Sequence, residues 1–202
     1  MPTGKLFSRI SLLATLAAAA LLSVSAHAMK LKSQNLEQLV TASESILLGQ
    51  VVSVTDGFQN NAPYTEVTIR VGNDAKGKVK EDTEYTFRQF GLLKPRSMGN
   101  GKVYLGVTPE GFAKWHEGEQ VVAFMYKKAS MTGFQTTAGM AQGKFVVSND
   151  KVMNAVNNYG LFEGMDTSNM SAEEQNMITN PGAVSSATFM GYVGKLVEES
   201  KK

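Results

Sequence analysis

The run TTAGMAQGKFVV, residues 136–147, contains the residue types of a phosphate-binding loop. Such a loop needs a glycine, four further residues and then Gly-Lys-Ser/Thr, because backbone amides wrap the phosphates and the hydroxyl binds magnesium. Here three residues separate Gly139 from Gly143, and Phe145 occupies the hydroxyl position. The spacing therefore predicts a tight hairpin between strands, with both glycines at positive φ, and no nucleotide site.

Metal and covalent chemistry have few candidate residues. The chain has no cysteine, and His116 is its only histidine after residue 28. Catalytic zinc sites usually use at least two histidines, and a Ser-His-Asp site needs a serine in a nucleophile elbow, which we do not find. We therefore predict no catalytic residue, no metal ligand and no cofactor. His116 is predicted to lie at the surface, before a turn at Gly118.

Two other residue types leave alternatives open. Carboxylates could act as an acid–base pair, but no spacing singles out two among Glu66, Glu81, Asp82, Glu84, Glu117 and Glu119. An enzyme acting through carboxylates is therefore our third hypothesis. The numerous methionines could bind copper(I) through their thioethers. After residue 29, however, no two of them are separated by only one or two residues, a spacing that favours adaptable core packing.

The first 28 residues predict a secretory signal peptide. Lys5 and Arg9 form a basic start, an almost uncharged apolar run covers 10–22, and Ala-His-Ala at 26–28 is a small-x-small cleavage site. Neither this run nor any later segment is long enough to span a bilayer. Cleavage after 28 predicts a periplasmic or secreted chain that begins at Met29. It has 18 basic and 18 acidic residues, a balance that argues against binding to nucleic acid or to an anionic membrane.

The elements that must position any site are mostly strands. Ser33 is a possible N-cap for a short amphipathic helix. Alternating or β-branched runs then predict strands over 44–58, 64–71, 84–90 and 120–126, and a hairpin over 133–147. Beyond Asn149 the pattern becomes helical, with a capping box at Ser171–Glu174 and a last helix from Ser186. We expect a strand domain over 29–150 and a C-terminal helical segment, 151–202, packed on the same core.

A long Gly/Pro-rich excursion, residues 91–119, interrupts the strands. Excursions of that length in a compact domain usually carry function or wrap an open end of a sheet. Its aromatic residues Tyr104, Phe112 and Trp115 predict either stacking groups for a ligand or core anchors of the loop.

Four stretches in order resemble a group of uncharacterised secreted bacterial proteins with a GLAQGKF-type motif. The stretches are SESILLGQVVSV, YTEVTIRVGNDAKG, EGEQVVAFMY and GMAQGKFVV. The matched positions include Gly49, Val51, Val54, Thr65, Val67, Thr68, Gly77, Gly118, Glu119, Val121, Phe124, Gly139, Ala141, Gln142, Gly143, Lys144 and Phe145. The same strand order is similar to the OB-fold of netrin-like modules, which include the inhibitory domain of tissue inhibitors of metalloproteinases. The resemblance implies a mainly β fold with helices, built as an OB-like antiparallel Greek-key barrel.

The resemblance also suggests a partner. In those inhibitors an N-terminal cysteine lies over the protease zinc, and disulfides hold it there. This chain lacks cysteine, so the free amine of Met29, with Lys30 beside it, is the remaining candidate contact. We expect an exported, non-enzymatic interaction module, a partner or inhibitor of a secreted metalloprotease. The alternative is an envelope carbohydrate- or small-ligand-binding protein that uses Tyr104, Phe112 and Trp115.

Overall fold

A computed structural model describes residues 33–180 and 182–201. The predicted signal peptide, Met29 and Lys30 lie outside the described residues. The fold is mainly β with helices, as predicted. The strands are β1 Ser45–Gln59, β2 Ala62–Asp74, β3 Glu84–Phe90, β4 Arg96–Ser97, β5 Val103–Tyr104, β6 Gln120–Met125, β7 Lys144–Ser148, β8 Lys151–Asn154 and β9 Val184–Ser185. The helices are α1 Leu36–Ala42, α2 Ala172–Thr179 and α3 Ser186–Glu199, with a 3₁₀ turn at Met140–Gly143.

Seven strands form one antiparallel sheet in the order β3-β2-β1-β6-β7-β8-β9, and β4 and β5 pair separately. The long strand β1 lies inside the sheet, since it pairs with both β2 and β6. Its register against β2 shifts at Leu48/Gly49 and again between Val51 and Ser53. Irregularities of this kind bend and twist a strand. The alternation of β2 is confirmed, with Thr65, Val67, Ile69 and Val71 buried.

The predicted OB-like barrel is not closed. Among the described strands, β3 and β9 lie at opposite edges of the sheet and are not paired. Strand β7 pairs with β6 and β8, so it is not free to close against β3. The irregular segment that follows β6 lies beside β3 instead. The Gln135 amide donates to the Arg88 carbonyl of β3 (2.8 Å), and the Tyr126 amide after β6 donates to Thr136 (3.0 Å).

The sheet buries apolar side chains on both of its faces. On one face, Ile46, Val122 and Phe124 pack with residues of α1 and α3. On the other, Leu47, Val121 and Ala123 pack with Phe87 and with residues of the excursion. This two-sided burial explains the uninterrupted apolar sequence of β6.

Three local predictions need correction. Asn35, rather than Ser33, caps α1, because Gln38 three residues later completes a capping box with Asn35. The chain from residue 151 forms β8 before it becomes helical. The segment 133–140 does not pair with β7 in a hairpin, since β7 pairs with β6 and β8.

The C-terminal predictions are confirmed. Ser171 and Glu174 form the capping box of α2. The apolar stripe of α3, which includes Phe189, Val193 and Leu196, is buried. None of the helices in the described ranges has the length and apolar character needed to cross a membrane.

Candidate functional site: a groove over β7 and β8

The Gly-Lys run is a turn that leads into β7. Gly139 has φ of +63° and precedes the 3₁₀ turn. Gly143 does not have positive φ, contrary to prediction. It is required for close approach instead, because a Cβ there would lie 2.0 Å from the Ala138 carbonyl oxygen. The amides of Met140, Ala141 and Gln142 donate to backbone carbonyls, so they do not form a phosphate cradle.

Lys144 begins β7 with its side chain almost fully buried, at 7% exposure. Its ammonium donates to the Lys114 carbonyl (2.6 Å) and to the carboxylate of Glu119, and it lies 5.0 Å from the Trp115 ring centroid. Burial lowers the pKa of Lys144, although the hydrogen bond from its ammonium to Glu119 opposes that shift. The ammonium thus ties β7 to the end of the excursion.

Glu119 joins this lysine to His116. The His116 Nδ1 lies 2.9 Å from one carboxylate oxygen, while Lys144 contacts the other. Burial by itself raises the pKa of Glu119, but the hydrogen bonds from Lys144 and His116 outweigh it and hold the pKa below its usual value. As predicted, His116 is exposed beside the turn at Gly118, with 70% of its side chain accessible.

Trp115 lies under this cluster as a core anchor. It is 4% exposed, and its indole N–H donates to Gln89 (3.1 Å). The Gln89 amide in turn donates to the Ala113 carbonyl (2.9 Å), and the Phe87 ring packs edge-on at 5.3 Å. Trp115 therefore lacks an open ring face on which a sugar could stack.

An open cavity of about 470 Å³ lies over the faces of β7 and β8 that point away from the helices. Val146 of β7 and Met153 of β8 pair across its floor, as do Ser148 and Lys151. The rest of the lining comes from Lys144 and Asn154 of the same two strands, from residues 112–114 of the excursion, and from the alanines at 141, 155 and 183. We call this cavity the lysine groove. The groove exists because the apolar cluster on this face of the sheet, which includes Leu47 and Val121, ends at β6. Strands β7 and β8 therefore extend beyond the part of the sheet that the excursion covers.

The lysine groove combines apolar walls with positive charge. Three lysines line it, namely Lys114, Lys144 and Lys151, and no acidic residue does. Lys144 is held by Glu119, whereas Lys114 and Lys151 are exposed and make no ion pair within the described part of the chain. A ligand in the groove would therefore meet apolar side chains and two free ammonium groups.

Of the aromatic residues predicted from the sequence, Phe112 alone lines the groove. It also lines a second cavity of about 510 Å³, which we call the aromatic cleft. The aromatic cleft is further lined by Phe90, Tyr126 and Phe134, and its Phe90 and Phe134 rings lie 5.9 Å apart. Phe112 is thus the shared wall of the two cavities.

Tyr104 lies elsewhere, in the small β4–β5 sheet, where its ring packs edge-on against Phe58 at 5.4 Å. The structure therefore does not bring Tyr104, Phe112 and Trp115 together into one stacking surface. Met29 and Lys30, the other predicted contacts, lie outside the described residues.

Sequence reasoning missed the floor of the groove. In β7, the buried Phe145 faces the helix side, while Lys144 and Val146 face the groove. In β8, Val152 is buried and Met153 is 39% exposed. Alternation within KFVVS and KVMN is a usable signal, but both segments are short, and the second follows Asn149, beyond which the pattern predicts helix.

Across the described residues, no group of three or more His, Cys, Asp or Glu side chains is placed to hold a metal ion.

The resemblance to secreted bacterial proteins and to netrin-like modules stays a prediction, because no protein-family model, curated protein sequence or solved structure matches this chain significantly.

Proposed function

We propose that this protein is an exported, non-enzymatic binding module that takes a small amphiphilic anion in the lysine groove. One observation carries the proposal: an open apolar groove of about 470 Å³ is lined by three lysines and no acidic residue. Its volume falls in the range of small-ligand sites, which are mostly apolar with a few polar groups that fix orientation. An apolar ligand body would contact Phe112, Val146 and Met153, and its anionic group would pair with Lys114 or Lys151.

Binding, rather than catalysis, suits the chemistry of this lining. Its titratable groups are lysines, and the one that is buried, Lys144, already donates to Glu119 and to a backbone carbonyl. An acid–base mechanism needs a positioned proton donor and acceptor that can reach the substrate. The lining offers ammonium groups and apolar contacts, which hold an anion in place.

Dodecanoate and 1-dodecanol make a matched pair of probes, since they share a chain length and differ in charge. Titration calorimetry on a chain that begins at Met29 should show dodecanoate binding at least about tenfold tighter than the alcohol, because a charge-assisted contact contributes roughly 1.5–3 kcal/mol. The double variant Lys114→Gln/Lys151→Gln should remove that preference. The single variant Lys128→Gln, a change at an exposed lysine outside the groove, should not.

A second pair of variants tests the groove itself. Met153→Glu places a carboxylate on the groove floor and should abolish dodecanoate binding. Met131→Glu makes the same change at a side chain that is 96% exposed and outside the groove, and should leave binding unchanged. Equal binding of dodecanoate to both variants would refute the proposal.

The carbohydrate alternative now rests on different residues. The aromatic cleft has rings on Phe90, Phe112 and Phe134, beside the exposed polar side chains of Lys127 and Thr132. Rings next to hydrogen-bonding groups suit a sugar. A neutral oligosaccharide in the same titrations is therefore the discriminating probe: binding that survives Met153→Glu would favour the cleft. The protease-partner hypothesis stays a prediction, because Met29 and Lys30 lie outside the described residues.

A further inference from the structure

The β4–β5 sheet belongs to a hairpin segment, residues 92–107, which we call the finger. Its base is closed by the Leu92 amide, which donates to Gly106 (2.9 Å), and by the Thr108 amide, which donates to Leu92 (3.1 Å). At its turn, the Met98 amide donates to the Lys102 carbonyl (2.9 Å). The finger is therefore a hydrogen-bonded hairpin with a defined shape.

Side-chain contacts fix the finger to the main sheet. The Asp56 carboxylate of β1, only 8% exposed, accepts from the Leu93 amide (2.8 Å) and pairs with Arg96. The Tyr104 ring packs edge-on against Phe58 of the same strand. Gly106 permits this packing, because a Cβ there would lie 2.0 Å from the Tyr104 ring.

The finger exposes large apolar side chains that its own fold does not use. Val103 is 56% and Leu105 72% exposed, and they alternate with Tyr104, so they face away from the Phe58 contact. Leu93, Met98 and Val107 are each more than 40% exposed. Among the described residues, half of the ten exposed large apolar side chains belong to the finger. Such a concentration marks an interaction surface.

The charges of the finger are of one sign. Lys94, Arg96 and Lys102 are its charged residues, and no acidic residue occurs from 85 to 109. Asp56 neutralises Arg96, which leaves Lys94 and Lys102 exposed beside the apolar side chains. Apolar side chains that enter the headgroup region, flanked by lysines that pair with lipid phosphates, are the chemistry of peripheral membrane attachment.

We infer that the finger attaches this protein to the surface of a bilayer that contains anionic lipid, with Val103 and Leu105 inserted and Lys94 and Lys102 on the headgroups. The formal neutrality of the exported chain does not oppose this attachment, since surface charge acts over about one Debye length and the finger is locally basic. The inference is independent of the ligand proposed for the lysine groove, which lies over different strands.

Co-sedimentation with vesicles tests the inference on a chain that begins at Met29. Vesicles of phosphatidylcholine with about 30% phosphatidylglycerol should bind the protein, and vesicles of phosphatidylcholine alone should bind it far more weakly. Leu105→Ser should lower the partition coefficient by about tenfold or more. Lys94→Gln and Lys102→Gln should each lower it by about fivefold, and raised salt should reduce the binding of the wild type.

Met131→Ser is the matched control, because it removes an apolar side chain that is more exposed than Leu105 and lies outside the finger. It should bind anionic vesicles as the wild type does. Unchanged circular dichroism and urea midpoints will show that each finger variant is folded. The inference is overturned if the wild type does not bind anionic vesicles at low salt, or if Leu105→Ser and Met131→Ser bind equally. The finger would then be a surface for an acidic protein partner.

Discussion

Replacement of Lys144 by methionine should destabilise the protein, because it removes the ammonium and keeps most of the side-chain volume. The ammonium makes a charge-assisted hydrogen bond to Glu119 and a second bond to the Lys114 carbonyl (2.6 Å). A hydrogen bond to a charged group contributes roughly 1.5–3 kcal/mol, and a carbonyl left without a partner costs about 1 kcal/mol or more. Breaking a fully buried ion pair costs roughly 3–5 kcal/mol.

The geometry places Lys144→Met at the low end of that range, at about 3 kcal/mol. Glu119 keeps its contact with His116 and is 20% exposed, so water can solvate part of the carboxylate that the substitution leaves behind. Glu119→Gln should cost less, about 1–2 kcal/mol, because Lys144 keeps its bond to the Lys114 carbonyl.

A double-mutant cycle in urea measures these values. The double variant Lys144→Met/Glu119→Gln contains neither charge, so its loss of unfolding free energy should fall short of the sum of the single losses by about 1–3 kcal/mol. Midpoints and slopes for all four proteins give the coupling free energy. Additive losses, or a Lys144→Met protein as stable as the wild type, would show that this pair does not fasten β7 to the excursion.

Three further predictions concern Glu119 and two glycines. The pKa of Glu119 is below its ordinary value of 4.5, since its hydrogen bonds outweigh the effect of burial, so its contribution to stability is present above pH 4.5 and is lost as the pH falls through the lower folded value. As the pH falls below about 5, urea unfolding should therefore show a larger loss of stability for the wild type than for Glu119→Gln; equal losses would contradict the assignment. Gly143→Ala should lower the free energy of unfolding by about 2 kcal/mol or more, because the new Cβ would lie 2.0 Å from a backbone oxygen. Gly194→Ala in α3, where the added Cβ meets no atom within 4 Å beyond the adjacent residues and the helix's own backbone, should instead stabilise by roughly 0.5–1 kcal/mol, and a thermal melt that ranks the two variants the other way would refute both.

Local pattern was sufficient to predict several elements. The period-2 alternation of β2 and the capping box of α2 depend on neighbouring residues, and both were found from the sequence. The cap of α1 was misplaced by two residues, because Ser33 and Asn35 can both cap a helix. Only Asn35 has a Gln three residues later to complete the box.

The long-range features were not predictable in this way. Whether the sheet closes into a barrel depends on whether β7 pairs with β3 or with β8. No local pattern in the sequence distinguishes these two strands as partners. Whether Trp115 stacks on a ligand or anchors the loop depends on Gln89, which lies 26 residues away. The lysine groove likewise depends on the register that sets Val146 opposite Met153.

The edges of the open sheet have a consequence for the behaviour of the protein in concentrated solution. A free strand edge can template pairing with another chain, which leads to fibres. Here β9 is only two residues long and continues directly into α3. At the other edge, the Arg88 carbonyl of β3 is already paired with Gln135. Both features limit strand-to-strand pairing between copies at the edges of this open sheet, in a chain that has no disulfide bonds.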